Sequence, residues 1–326
     1  MFDDIIGNDH IKNYLTKLIN TKKIPNVFLF SGIDGIGKFL FAKTLAFYLM
    51  SDDFSKNDIF KKIMDENHPD LHIFRPVGKM SIHPIASIKE LIHQASLAPF
   101  EAKSKVFIID NVEFMQDEAS NALLKILEEP FYDSYMILIT SNLENILPTV
   151  ISRTSLLKFY PIAEDEIKAL LQKWGKTEKE SLKIALLSQG SVSKACEIAN
   201  FVDYDDKTQI LLNILSKDAI LYKDLKNEID TLEKSFFSLS EDKVFKEIDL
   251  FLMYVFIWYR DIYILKNKLN KEFIFFQDRI EVMQTKENFP STQEVEKLIA
   301  EVREGVRLNI KLKNCLERLF LGLNIV

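Results

Sequence analysis

Three short stretches of this sequence carry residue types at spacings that could do chemistry. The first, Gly32-Ile33-Asp34-Gly35-Ile36-Gly37-Lys38-Phe39, keeps the G-x-x-x-x-G-K spacing of a phosphate loop up to its last position. Glycines so placed let backbone N–H groups and a helix N-terminus converge on an anion, and the lysine adds a point charge for phosphates. Where that pattern has Ser or Thr as a magnesium ligand, this chain has Phe39. The second stretch, Val106-Phe107-Ile108-Ile109-Asp110-Asn111, reads as an apolar strand ending in a Walker B carboxylate, which helps hold magnesium. Asn111 follows it where ATPases of this architecture use a glutamate to polarise water, and an amide is not a general base at neutral pH. The missing hydroxyl and the missing carboxylate touch two separate requirements of hydrolysis. The sequence therefore predicts a degenerate site that binds ATP or ADP without turning it over. The third stretch is Ile151-Ser152-Arg153-Thr154. An arginine on such a loop can reach a neighbouring subunit's γ-phosphate, where a finger supplied in trans is worth about 10³–10⁵ in rate. Read by itself, Arg153 is a solvated or structural arginine.

Other polar groups carry weaker signals. His68 and His72 are four apart, but Pro69 forbids a regular helix start and no third ligand is near, so a turn before a strand is expected. Glu128 and Glu129 read as a solvated helix end, and Lys103 and Lys105 as a solvated face that could touch duplex backbone.

The elements that must position these residues follow from the apolar pattern. Asn26–Ser31, Lys105–Asp110 and Tyr135–Thr140 are apolar, β-branched-rich runs suited to buried parallel strands. Helical spacing follows the glycine-rich turn at Leu40, Phe41, Thr44, Leu45 and Tyr48, and an amphipathic helix over Ala119–Glu128 stops at Pro130. This alternation predicts an α/β domain, a parallel sheet with helices on both faces, over residues 1–160. A small helical lid is expected over 161–205, with helices at Glu164–Trp174, Lys179–Ser188 and Ser193–Ala199. An all-helical domain is expected over 206–326, with one loop signal near Asn288-Phe289-Pro290-Ser291.

Composition bounds the possibilities. The 326 residues are 47% apolar and 28% charged, which excludes disordered and collagen-like chains. The two cysteines, Cys196 and Cys315, make neither a disulfide framework nor a four-thiolate zinc site. A net charge of −6 argues against a chain-wide electrostatic grip on nucleic acid, leaving room for a local basic face. The acidic opening Met1-Phe2-Asp3-Asp4 is unlike a secretory leader, so a cytoplasmic location is expected. The apolar run Leu250–Tyr259, framed by Asp249 and Arg260, is too short for the roughly 20 residues of a membrane helix and reads as core or a subunit interface.

Taken together, Ile6-Gly7-Asn8, Asn26–Lys38, His68-Pro69-Asp70-Leu71 and above all Ile88–Pro130, with its run Asn-Ala-Leu-Leu-Lys-Ile-Leu-Glu-Glu-Pro, are similar to the delta-prime family of bacterial DNA polymerase III clamp-loader subunits, which are AAA+ proteins. The similarity continues through Thr140-Ser141-Asn142 as sensor 1, Ile151–Thr154 where the family has Ser-Arg-Cys, and Gln189-Gly190-Ser191 in the sensor 2 region, and it fades beyond residue 205. The resemblance implies a RecA-like domain, a helical lid and a helical collar through which five subunits, gamma/tau and delta among them, form a ring that loads the sliding clamp onto primed DNA as part of the polymerase (nucleotidyltransferase) holoenzyme. It implies Gly32, Gly35, Gly37, Lys38, Phe39, Asp110 and Asn142 as nucleotide-site positions, and Arg153 as the finger offered to an adjacent motor subunit. The segment from Asp52 to Asn67 lacks the four cysteines many relatives carry, so zinc is not expected, and Thr154 replaces the family's cysteine. Two rival readings are an ATP-hydrolysing gamma/tau-type motor, opposed by Phe39 and Asn111, and a phosphate-loop small-molecule kinase, favoured only by Gly32–Lys38.

Overall fold

The computed structural model describes residues 1–51, 57–77, 82–128, 133–200, 206–217, 219–237 and 241–325. Pro130, Glu129 and the expected boundary at 201–205 lie outside the described residues, as do the first residues of the Asp52–Asn67 segment. The chain divides into two compact units, Met1–Cys196 and Glu197–Val326.

The first unit opens with α1 (Asp9–Thr21), β1 (Val27–Ser31), α2 (Lys38–Met50) and α3 (Asn57–Met64). It continues with β2 (Leu71–Phe74), α4 (Ile85–Ser96), β3 (Lys105–Ile109), α5 (Asp117–Glu128), β4 (Ser134–Thr140), α6 (Pro148–Ile151) and β5 (Ser155–Lys158). Helices α7 (Glu164–Lys173) and α8 (Glu178–Ser188) follow, and then α9 (Val192–Asn200), whose first five residues belong to this unit. The strands form one parallel sheet in the order β2-β3-β4-β1-β5. Every residue of β1 and β3 is buried, because helices cover both faces and leave no polar side for the strands to show. Alternate residues serve opposite cores. Phe28, Phe30, Val106, Ile108, Ile137 and Ile139 pack with α1 and α2, while Val27, Leu29, Phe107, Ile109, Met136 and Leu138 pack with α4 and α5.

Lys105 corrects the solvated-face reading. It is buried and its ammonium donates to the Gln94 carbonyl at 2.9 Å, because the first residue of a central strand is covered by the end of α4. Lys103 in turn donates to the Ser51 carbonyl. His68 precedes β2 and His72 lies in it, stacked on Phe107.

The second unit comprises α10 (Asp206–Ser216), α11 (Tyr222–Phe237), α12 (Glu241–Lys266), α13 (Ile280–Thr285), α14 (Thr292–Arg307) and α15 (Leu312–Gly322). The apolar run Leu250–Tyr259 is the middle of α12, and its Leu252, Tyr254, Val255 and Trp258 are fully buried. The loop signal before α14 is its cap: Ser291 and Glu294 form a reciprocal capping box. Among the described residues no helix is long and apolar enough to cross a membrane.

Candidate nucleotide site at the carboxyl edge of the sheet

In an open α/β sheet, ligands gather beyond the carboxyl ends of the strands, where the connections diverge. Here β1 runs directly into the glycine loop, β3 ends at Asp110, and β4 lies between them with Thr140 in register with Ser31. Gly35 and Gly37 take φ of 77° and 95°, left-handed values that side chains rarely adopt, and this turns the loop into the start of α2. A Cβ on Gly35 would come within 2.3 Å of Ser191 Oγ, because the loop is covered by the start of α9, where the Ser193 N–H donates to the Gly35 carbonyl at 3.0 Å.

Between these segments lies a cavity of about 600 Å³, in the range of small-molecule sites. Gly35, Gly37, Lys38, Phe39, Asp110 and Asn111 line it, joined by Ile5 and Ile6 from the N-terminal segment and by Leu170, Trp174 and Ser193 from the helices after the sheet. Gly32 sits at the loop's entry, its carbonyl bound to Lys38. Asn142 is exposed outside the cavity and its side chain accepts the Glu144 N–H instead. Arg153 also lies outside it, on the turn between α6 and β5. Its guanidinium donates to the Thr149 carbonyl at 3.0 Å and pairs with Glu128 at 2.9 Å, with about a third of the side chain exposed.

Lys38 is buried, and its ammonium donates to the carbonyls of Gly32 at 2.5 Å and Ile33 at 2.8 Å. Burial pulls this lysine below the ordinary range, against the opposing pull of Asp34, Asp110 and Glu113. Burial pushes the Asp110 carboxyl upward, and Arg75 followed by Lys38 oppose that rise.

Sequence reasoning missed four of the charged residues around this site. Arg75 follows β2 and stacks on Phe39, its Cζ 4.8 Å from the ring centroid, with Lys43 Nζ 5.3 Å from the same centroid. Glu66 grips Arg75 with two bonds of 2.8 Å and lies 3.5 Å from Lys43. Glu113 accepts from the Ser141 N–H and hydroxyl, which ties the end of β3 to the end of β4. Lys43 is one helical turn beyond Phe39 and was readable from spacing. Arg75 was not, because only the pairing of β2 beside β3 brings it to Asp110, and Glu66 was not, because it joins the site through Arg75 and Lys43.

This donor set does not fit the divalent cation usual in phosphate-loop ATPases. Mg²⁺ needs near-octahedral oxygen ligands, commonly a loop hydroxyl and a carboxylate together with phosphates. Position 39 offers an aromatic ring flanked by two cations, and Asp110 already faces Arg75 and Lys38. Among the described residues no group of three or more His, Cys, Asp or Glu is arranged to hold a metal ion.

A parallel sheet with β4 between the phosphate-loop strand and the Asp110 strand, followed by a helical cap over the loop, defines an AAA+ module. A family model described as DNA polymerase III, delta subunit matches residues 7–163. The DNA polymerase III subunit delta' of Bacillus subtilis is 25% identical over 96% of this chain and 95% of its own length. The DNA polymerase III subunit gamma of Buchnera aphidicola (Acyrthosiphon pisum) is 30% identical over 72% of this chain and 71% of its own. The gamma/tau subunit of Mycoplasma genitalium is 32% identical over 62% of this chain, which spans only 36% of that relative. The chain belongs to the DNA polymerase III clamp-loader subunit family.

Proposed function

We propose that this chain is the delta-prime-type subunit of a clamp loader: it occupies a place in the ring beside gamma/tau and delta, binds nucleotide without hydrolysing it, and supplies Arg153 to the ATP site of an adjacent motor subunit. The observation that carries this reading is the pairing of a retained phosphate loop with a disabled catalytic edge. Lys38 and Asp110 converge on the cavity, while Phe39 and Asn111 stand where a metal-ligating hydroxyl and a water-activating carboxylate belong. Similarity to a delta' subunit over 96% of this chain and 95% of that relative supports the same choice.

In this reading the chain's own residues bind and position. The loop amides and Lys38 receive phosphate oxygens, Ile5, Ile6 and Trp174 offer apolar surface to a base, and α9 covers the loop. Arg153 sits away from its own cavity on a surface turn, as a residue acting on a neighbour's γ-phosphate must. The sliding clamp and primed DNA are the substrates of the assembled ring, and residues 161–205 and 206–326 act as its lid and collar.

The test is ATP turnover by the purified chain and by the reconstituted complex with gamma/tau, delta, clamp and primed DNA. The expected result is no turnover by the chain alone and stimulated turnover in the complex. Arg153→Ala should remove the contribution of the adjacent motor site, where a finger is worth about 10³–10⁵ in rate. Steady hydrolysis by the isolated chain would make it a motor subunit, and an unchanged complex with Arg153→Ala would end the finger role.

A further inference from the structure

Phe39 is not simply a lost hydroxyl. In a phosphate loop the residue after the lysine faces the metal, and a phenyl ring left there would need cover from water. The chain covers it with cations: Arg75 stacks at 4.8 Å and Lys43 approaches at 5.3 Å, both from outside the loop itself. Glu66 fixes them, with its two oxygens on Arg75 Nη1 and Nη2 and one of these 3.5 Å from Lys43 Nζ. The fork uses two of the five guanidinium N–H groups and leaves donors for another acceptor. Arg75 follows the last residue of β2, and Phe74 is in register with Ile109, so the backbone itself sets Arg75 beside Asp110.

We infer that the phosphate site works without a divalent cation, Arg75 being the fixed charge that meets the nucleotide's terminal phosphate oxygens and balances Asp110. This rests on the nucleotide-binding reading above and deepens it. An arginine suits that role because its planar fork is held on one side by Glu66 and on the other by the ring, so little rotamer freedom remains to be lost when an oxyanion arrives. A Mg²⁺ brought with the nucleotide would meet two fixed cations around the ring at position 39 and find no hydroxyl there.

The experiment is titration of the full chain with a fluorescent ATP, mant-ATP, in buffer with excess Mg²⁺ and in buffer with EDTA. The expected dissociation constants agree within about twofold, whereas a metal-requiring loop would lose about tenfold or more in EDTA. Arg75→Gln should weaken binding about tenfold in both buffers, by removing a charge-assisted contact. Phe39→Thr combined with Arg75→Ala should make binding respond to Mg²⁺, since it returns the hydroxyl and removes the competing charge. Stronger binding of the unaltered chain in Mg²⁺ by about tenfold would overturn this inference and leave the nucleotide site standing. Unchanged binding by Arg75→Gln would overturn it as well. No binding in either buffer would remove the nucleotide reading, and this inference with it.

Discussion

Arg153 and Glu128 form an ion pair whose partners are both substantially exposed, at 36% and 55%. Such a pair contributes about 0–1 kcal/mol, because water already solvates both charges and salt screens them. Arg153→Ala and Glu128→Gln should therefore each lower the unfolding free energy measured in urea by no more than that, and a larger loss would mean that Arg153 supports the fold. The prediction matters because it separates a missing finger from a misfolded subunit. Glu128 also shows what the sequence could not: its spacing marks an exposed helix end, but its partner lies 25 residues on, across the return of β4. The loop residues Gly35, Gly37 and Lys38 were legible because their chemistry depends on local spacing. Asn142 was placed by pattern alone, and its side chain turned instead to cap the following turn.

Asp70 governs an element. It is fully buried at the start of β2, where its carboxylate accepts the N–H groups of Phe100 at 2.6 Å, Glu101 at 2.9 Å and Ala102 at 2.8 Å. These bonds clip the segment between α4 and β3, and without that clip β3 would lose its lead-in. Burial alone would raise the carboxyl, but the three N–H donors and His68 outweigh it and hold Asp70 below its ordinary value of 3.8. A carboxyl depressed by folding contributes its stability in full above the unfolded value, and loses it as pH falls through the lower folded value. Part of the acid denaturation below about pH 4 should therefore vanish in Asp70→Ala, which itself should cost about 3 kcal/mol by leaving buried N–H groups unpaired. Urea titrations across pH 3–7 check both the size and the slope, and a pH dependence identical to the unaltered chain would refute the assignment. Strands β1, β3 and β4 and the helices α2, α5, α7, α8 and α9 were legible because period and apolar content mark them directly, whereas the short, half-buried β5 carries no such mark. The order of the strands was not, since it is set by crossovers that leave no local pattern.

At the scale of the molecule the two units build separate cores from different kinds of pattern. In Met1–Cys196 the sheet is legible as uninterrupted apolar runs, whereas in Glu197–Val326 the core gathers on the single long helix α12. Trp258 is the largest of the fully buried side chains among the described residues and packs against Phe276 with ring centroids 5.8 Å apart. Asp261, one turn further along α12, accepts the N–H groups of Phe275 and Phe276 at 2.8 and 3.0 Å and pairs with Arg260, so the segment after α12 is folded back onto its aromatic face. The sequence marked Leu250–Tyr259 as buried but gave no sign of this return, because its phenylalanines follow a break in the helical pattern. Trp258→Ala removes the ring on which the returning segment rests, and large-to-small changes of this kind cost about 3–5 kcal/mol. Hydrogen exchange should then show the amides of α12 and α15 losing protection while those of β1, β3 and β4 keep theirs, since Trp258 belongs to the second core. Mant-ATP binding should be retained, because Trp174 and the loop belong to the first unit. Loss of protection spread evenly over both units would mean that the chain unfolds as one cooperative body.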